Sequence, residues 1–262
     1  MATLLQVRGE MKLRPGIAYA GLTDVGCERE NNEDRFAYWE PASDELFARK
    51  GRLVLIADGM GGYEGGQEAS RIAIETIEHV YAEATEGDPH TWLDQGFHIA
   101  HGGIQDYASR HPEFHGMGTT CAAAAIHGDK VYYAHVGDSR IYLANKEGIR
   151  RLTRDHSYVG RLIENGLLQP EEAESHPQRH ILTAALGAGQ SVSAELPEQP
   201  LTVTAGSFLI LCTDGLWGQV SDDEIYTEAL DSDPARACRS LIDLAKERGG
   251  PDNITVQIVR FV

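Results

Sequence analysis

The chain has 262 residues, of which 40 are acidic and 23 are basic, and its formal net charge is −17. Nucleic acids and anionic membrane surfaces repel so acidic a chain, which disfavours both as main partners. No apolar run approaches the roughly 20 residues of a membrane helix, and residues 1–15 contain no apolar core of signal-peptide length. The four cysteines are scattered without a CxxC pair, which favours free thiols over disulfides or a zinc site and predicts a cytoplasmic protein.

The predicted elements are short strands and amphipathic helices. Residues 1–15 form a leader without a pattern, and 16–262 are predicted to be one domain because they contain no repeat or linker. Apolar runs or alternation predict strands, and apolar residues at 3.6-residue spacing predict helices. The predicted strands cover 17–22, 36–39, 53–57, 118–126, 130–136, 140–144, 207–213 and 254–258. The predicted helices cover about 69–84 and 90–109, a segment that starts at a capping signature at Ser221, and 234–247.

The stretch 53–66, LVLIADGMGGYEGG, combines a buried strand, a carboxylate and a glycine-rich turn. Asp58-Gly59 alone is also the signature of a tight hairpin. The further glycines and the helix behind them favour an open turn instead. In such a turn, Asp58 and an exposed carbonyl are suited to holding a hard cation.

The same pattern recurs along the chain, because aspartates stand at several strand ends beside polar or glycine-containing turns. These are Asp34, Asp58, Asp138, Asp214 and Asp252. If these ends meet at one edge of the sheets, the clustered anions are costly, and two hard dications relieve that cost. Oxygen ligands without neighbouring Cys or His favour Mg²⁺ or Mn²⁺. The Gly-Asp-Ser turn also explains Asp138 structurally. Arg29, in a loop rich in acids, suits either a phosphate or an ion pair.

A long irregular insertion covers 155–187, with short helical pieces at about 157–165 and 170–175. Insertions of this kind are often lids or binding loops. Its histidines, at 156, 176 and 180, lack tight metal-ligand spacing.

The motifs of covalent phosphatases and of P-loop enzymes are missing. No cysteine is followed six residues later by arginine, and there is no Gly-Lys dipeptide. The segment 231–233, Asp-Ser-Asp, does not follow a strand-like run, which disfavours an aspartyl-phosphate enzyme.

Eight motifs together resemble one family, the bacterial branch of the type 2C metal-dependent serine/threonine protein phosphatases. They are TDVGCERENNED (23–34), ADGMGG (57–62), GTT (118–120), VGDSR (136–140), TRDHS (153–157), HPQRHILTAALG (176–187), CTDGLW (212–217) and DNITV (252–256). The resemblance implies an α+β fold: a four-layer α-β-β-α sandwich in which helices flank two central antiparallel sheets. It also implies that 155–187 is a mobile flap beside the active site.

The resemblance implies a site and a reaction. Asp58 would bridge two Mn²⁺ or Mg²⁺ ions, the Gly59 carbonyl would ligate the first, and Asp214 and Asp252 the second. Asp138 and Asp214 match the positions of a third, weaker ion. Glu33 and Asp34 would orient the attacking water that bridges the ions, and Arg29 would bind the phosphate of phosphoserine or phosphothreonine.

One position departs from the eukaryotic pattern, since Met60 replaces the histidine proposed there as general acid. The proton donor is left open between a metal-bound water and a flap histidine such as His156. The expected partners are phosphoproteins and a cognate kinase, and the expected state is a monomer. A small-molecule phosphoesterase and a non-catalytic scaffold of the same fold are the alternative functions.

Overall fold

The computed structural model describes residues 13–62, 64–173 and 176–262, so most of the predicted leader (1–12) lies outside the described residues. The strands are β1 (Ile17–Asp24), β2 (Arg35–Trp39), β3 (Arg52–Ala57), β4 (Gly59–Met60), β5 (Gly118–Thr119), β6 (Cys121–His127), β7 (Lys130–Val136), β8 (Arg140–Asn145), β9 (Gly148–Arg151), β10 (Leu201–Thr202), β11 (Phe208–Cys212) and β12 (Ile254–Phe261). The helices are α1 (Asp44–Lys50), α2 (Gly65–Glu83), α3 (Pro89–Arg110), α4 (Tyr158–Glu164), α5 (Pro170–Ala173), α6 (Asp214–Trp217), α7 (Asp222–Asp231) and α8 (Pro234–Glu247), with a 3₁₀ turn at Pro112–Phe114.

Two five-stranded sheets form the centre of the molecule. The first has the order β1-β12-β11-β8-β9, and the second has the order β10-β7-β6-β3-β2. Every neighbouring pair is antiparallel. In antiparallel sheets, the end of one strand lies beside the start of its neighbour, so turns from distant parts of the chain meet at a common edge.

Strand β3 shows why the sheets are covered on both faces, since all six of its residues are buried. Leu53 and Leu55 pack into the cluster that contains α2 and α3. Val54 and Ile56 point the other way, into the cluster between the two sheets. A strand with two apolar faces requires a layer on each side.

The remaining apolar cluster covers the outer face of the first sheet. It joins residues of α7 and α8, such as Ile225 and Leu241, to Ile210 of β11 and Ile258 of β12. The layers are therefore helices, sheet, sheet and helices. The predicted four-layer α-β-β-α sandwich is confirmed.

Most predicted elements are present, and several boundaries differ. Strand β7 and helix α8 match their predictions, and the Glu224 carboxylate accepts the Ser221 backbone N–H (3.0 Å) at the start of α7. The predicted strand 118–126 is interrupted at Thr120, whose N–H donates to the Asp58 carbonyl (2.9 Å). The sequence patterns did not predict α1, β4, β9, β10 and α6, which are short.

The hairpin alternative at Asp58-Gly59 is wrong. Strand β3 pairs with β2 and β6, whereas β4 after Asp58 pairs with β5. The chain therefore leaves the sheet at Asp58 and continues into α2.

Among the described helices, none combines the length and the apolar composition needed to cross a bilayer.

Lys50 is a fully buried cation that joins α1 to the end of α2. Its Nζ donates to the carbonyls of Tyr81 (2.6 Å) and Ala84 (2.5 Å) and lies 3.7 Å from the centre of the Trp92 ring. The last carbonyls of a helix have no partner within the helix, and here the ammonium supplies one.

We expect Lys50→Met to keep the apolar packing but to lower the free energy of unfolding by about 1–3 kcal/mol, because the Tyr81 carbonyl loses a charged donor. Urea unfolding measures this loss. The control is Lys146→Met, which changes an exposed lysine. Equal unfolding midpoints for Lys50→Met and the wild-type protein would contradict this account.

Candidate metal centre

Five aspartates from distant parts of the sequence meet at one edge of the sandwich. Asp34 precedes β2, Asp58 follows β3, Asp138 lies between β7 and β8, Asp214 begins α6 after β11, and Asp252 precedes β12. The four other carboxylates all raise the pKa of Asp58, after burial as the largest cause. The structure thus brings together the five carboxylates that the sequence analysis selected.

Burial makes this cluster electrostatically demanding. The pKa of Asp34 is raised to about 7 by burial, although hydroxyl donors from Thr255 (2.6 Å) and Thr213 (2.8 Å) oppose the shift. Burial also raises the pKa of Asp138 and of Asp214, with further contributions from neighbouring carboxylates. The carboxyls of Asp58 and Asp214 lie within hydrogen-bonding reach of each other. Such a set of anions requires either protons or cations.

Two carboxylate oxygens of the cluster indicate which kind of ligand it can bind. Oδ1 of Asp34 and Oδ1 of Asp214 are buried and, among the residues that the structure describes, have no hydrogen-bond donor. Buried carboxylate oxygens normally have a partner, and these are hard donors of the kind that Mg²⁺ and Mn²⁺ prefer. The residues at this edge therefore fit divalent cations.

The glycine turn after Asp58 makes room for Glu33. A Cβ on Gly59 would lie 2.1 Å from the Gly66 carbonyl oxygen, and a Cβ on Gly66 would lie 2.2 Å from Glu33 Oε2. The Gly59 N–H donates to the Glu33 carbonyl (3.2 Å). Glycine at both positions thus lets Glu33 and the loop before β2 lie directly against the Asp58 turn.

Asn253 holds the loop that carries Glu33 and Arg29. Its Oδ1 accepts the Glu33 N–H (2.8 Å), and its Nδ2 donates to the carbonyls of Val25 (3.0 Å) and Asn31 (2.9 Å). This role of Asn253 was not predicted from the sequence. Its position directly after Asp252 in the motif DNITV was the available signal.

Arg29 forms an ion pair at the mouth of the cluster. Its Nη2 lies 2.8 Å from Asp252 Oδ2, and 55% of its side chain is exposed. Of the two interpretations of Arg29, the ion pair is therefore present. The exposed part of the guanidinium still faces solvent at this edge.

The flap histidines differ in their relation to the carboxylates. His180 Nδ1 lies 4.0 Å from Asp214 Oδ2. His156, one of the open candidates for the proton donor, has other partners, because its Nδ1 accepts the Gly137 N–H (3.2 Å) and its Nε2 lies 3.5 Å from Glu195 Oε2. In this structure His156 therefore offers no proton to the carboxylate cluster.

His135, His156 and Glu195 form a second group, whose candidate ligand atoms lie within 4.8 Å of one another. His135 Nε2 contacts the Arg154 carbonyl (2.8 Å), which only accepts, so this nitrogen carries a proton. His156 Nδ1 accepts an N–H, so in the neutral ring Nε2 carries the proton. The two ring nitrogens nearest Glu195 Oε2, His156 Nε2 at 3.5 Å and His135 Nε2 at 3.7 Å, therefore both carry protons, and that of His135 is donated to the Arg154 carbonyl. This group is therefore better suited to sharing protons than to holding a cation.

Comparison with known proteins assigns the chain to a family. The family model described as "Protein phosphatase 2C" matches residues 28–243. The chain belongs to the protein phosphatase 2C family. It is 35% identical over 246 residues to the serine/threonine protein phosphatase PstP of Mycobacterium tuberculosis, covering 94% of this chain but 45% of that protein. The chain thus spans about half the length of PstP.

A second relative, and the solved catalytic domain of PstP, are matched over nearly their full length. Protein phosphatase PhpP of Streptococcus pneumoniae is 35% identical, over 91% of this chain and 95% of that protein. The solved catalytic domain of PstP in complex with two manganese ions is 32% identical, with a TM-score of 0.81 and coverage of 94% of this chain and 99% of that one. The chain therefore shares both sequence and fold with this family.

The pKa of Asp34 gives a prediction for the metal-free protein. Between the unfolded pKa near 4 and the folded pKa of about 7, the folded state binds the additional proton, so stability is lost as pH rises through this window. Asp34→Asn removes this pH dependence. The substitution is expected to change the free energy of unfolding by about 2–3 kcal/mol more in the stabilising direction at pH 8 than at pH 5.

Urea unfolding in EDTA at both pH values measures this difference. Any cost of placing an amide among Thr213 and Thr255 cancels, because it is present at both pH values. Asp106→Asn, at an exposed site on α3, controls for removal of a charge. An Asp34→Asn effect of equal size at pH 5 and pH 8 would show that the carboxylate is not strained by burial.

Proposed function

We propose that this chain is a metal-dependent protein phosphatase that hydrolyses phosphoserine and phosphothreonine on proteins. The observation that carries the proposal is the group of five aspartates at one edge, of which Asp34 and Asp138 are buried, while Asp34 and Asp214 each have a buried carboxylate oxygen without a donor among the described residues. The names of its relatives, PstP and PhpP, support the same activity. We further propose one phosphatase domain over 16–262, with 155–187 as its flap.

In this proposal the aspartates hold Mn²⁺ or Mg²⁺. Asp58 would contact two ions, the Gly59 carbonyl the first, and Asp214 and Asp252 the second, while Asp138 and Asp214 would hold a third, weaker ion. Bound dications supply Lewis acidity, which lowers the pKa of a water ligand and neutralises charge on the phosphoryl oxygens. The manganese-bound PstP domain supports this use of the edge.

The chain's own groups orient the reactants. Asp34 is fixed by the hydroxyls of Thr213 and Thr255 and, with Glu33, would accept hydrogen bonds from the attacking water. Arg29 would exchange part of its ion pair with Asp252 for the phosphoryl oxygens, where a guanidinium forms charge-assisted hydrogen bonds. The leaving serine or threonine oxygen needs a proton, and among the described flap histidines His180 lies beside Asp214.

The alternatives differ from this proposal in specific features. A scaffold that had lost catalysis would be free to lose these carboxylates, yet all five are present. A small-molecule phosphoesterase would share the ions but would not need the exposed apolar side chains of the flap, Tyr158, Leu167 and Ile181. These side chains favour a protein substrate.

We propose phosphoproteins and a cognate serine/threonine kinase as partners, a monomeric state, and a cytoplasmic location without nucleic-acid or membrane binding. The net charge of −17 supports the absence of anionic partners. The cysteines are free thiols, which is typical of a reducing compartment.

The first test is release of phosphate from a phosphothreonine peptide with Mn²⁺ or Mg²⁺. Asp58→Asn is expected to lower kcat roughly a thousandfold, because the Lewis acid is worth several kcal/mol of barrier. Asp106→Asn is the matched control, and thermal unfolding checks that the Asp58 variant is folded. No turnover by the wild-type protein at saturating Mn²⁺ would refute the phosphatase proposal, and a preference for p-nitrophenyl phosphate over every phosphopeptide would favour the small-molecule alternative.

The second test concerns Arg29. We expect Arg29→Ala to raise KM for the phosphopeptide about tenfold with a smaller effect on kcat, since it removes charge-assisted bonds to the phosphate. Steady-state kinetics measures both constants. Arg110→Ala, on the exposed end of α3, is the control. An unchanged KM would remove Arg29 from substrate binding.

A further inference from the structure

His156 lies at the neck of the flap, which is formed by residues 156–157 and 182–183. Its carbonyl accepts the Thr183 N–H (2.7 Å), and Ser157 forms a bridge with Leu182. In the other direction, the His156 N–H donates to the Gly137 carbonyl (2.9 Å). One residue thus joins both ends of the flap to the turn that carries Asp138.

The imidazole of His156 makes a second bond to the same glycine. The Gly137 N–H donates to Nδ1 at 3.2 Å, so in the neutral ring the proton is on Nε2, 3.5 Å from Glu195 Oε2. The ring centre lies 4.6 Å from that of the buried His135. Burial lowers the pKa of His135 to about 4, so this neighbour is neutral near pH 7. The orientation of the His156 ring is therefore fixed by Gly137 at Nδ1 and by Glu195 at Nε2.

Gly137 combines a steric restriction with two hydrogen bonds between its backbone and His156. Its φ is +101°, and a Cβ at this position would lie 2.6 Å from the Thr120 side chain, so only glycine fits. Its N–H and its carbonyl both bond to His156. The next residue, Asp138, has a buried carboxylate, and its carbonyl accepts the Trp217 Nε1–H (2.9 Å).

We infer that His156 is a positioning residue that holds Asp138 beside Asp214 through the bond between its Nδ1 and the Gly137 N–H. Asp214 is the neighbour that contributes most to the raised pKa of Asp138, after burial. The flap also approaches Asp214, through His180. His156 thereby links the seating of the flap to occupancy of the weaker ion site formed by Asp138 and Asp214. The inference rests on the proposed function, because it requires that these two aspartates hold an ion.

Two substitutions at His156 distinguish the role of the Nδ1 acceptor from that of the rest of the ring. Asn at position 156 places an amide oxygen near the position of Nδ1 and keeps an acceptor for Gly137. Gln places its amide near the position of Nε2, toward Glu195, and loses that acceptor. Both retain the backbone bonds of His156.

The experiment is a titration of the metal-free full chain with Mn²⁺, in which EPR spectroscopy measures free Mn²⁺. His156→Gln is expected to weaken the weakest binding step about three- to tenfold, as expected for one lost hydrogen bond, and to leave the tighter steps unchanged. His156→Asn is expected to stay within about twofold of the wild-type protein. The control is His127→Gln, at the opposite end of β6 from the cluster.

Activity supplies a readout that general structural damage would not give. With the phosphopeptide, His156→Gln should require more Mn²⁺ but reach nearly the wild-type kcat at saturation. A kcat that stays low at saturating Mn²⁺ would overturn the positioning role.

The remaining outcomes are distinguishable. If both variants bind Mn²⁺ like the wild-type protein, or if Asn and Gln weaken binding equally, the acceptor at Nδ1 is not responsible and the inference fails. If the wild-type protein binds no Mn²⁺, the proposed function fails, and the inference fails with it.

Discussion

The structure depends on one constraint: carboxylates that repel one another are held together, buried or half-buried, at the edge where the turns of two sheets meet. Burial and the neighbouring anions raise the pKa of Asp58, Asp138 and Asp214, so folding alone leaves this edge under electrostatic strain. The apolar clusters between and outside the sheets must supply the free energy that keeps these side chains together. The fold thus assembles a site whose carboxylates fit divalent cations.

Neutral groups around the carboxylates limit how they move. Threonine hydroxyls hold Asp34, the Asn253 amide holds the loop before β2, and Thr120 links the turn of Asp58 to Ser139 beside Asp138. A positive charge in these places would neutralise the cluster and compete with a metal ion. Hydroxyls and amides orient the oxygens without doing so, which is how an anionic site keeps its affinity for dications.

The sequence predicted the five aspartates from local signals, whereas the four-layer fold came from the family resemblance. The apolar run of β3 requires a layer on each side, Asp58 follows β3 directly, and Asp214 follows β11 after one intervening residue. It did not predict α1, whose Lys50 is buried only because α2 and Trp92 surround it. It also left His156 open as a candidate proton donor, because spacing along the chain does not show that Gly137 and Glu195 occupy its nitrogens. Contacts of this kind between distant segments require the fold.

The closed neck of the flap has an evolutionary consequence. Because residues 156–157 and 182–183 are bonded to each other, the segment between them leaves and re-enters the sandwich at a single point. Lengthening or shortening a loop whose ends are already fixed together costs little chain entropy. Related proteins can therefore diverge in the length and sequence of this segment, and in what it contacts, while they retain the layers of the fold.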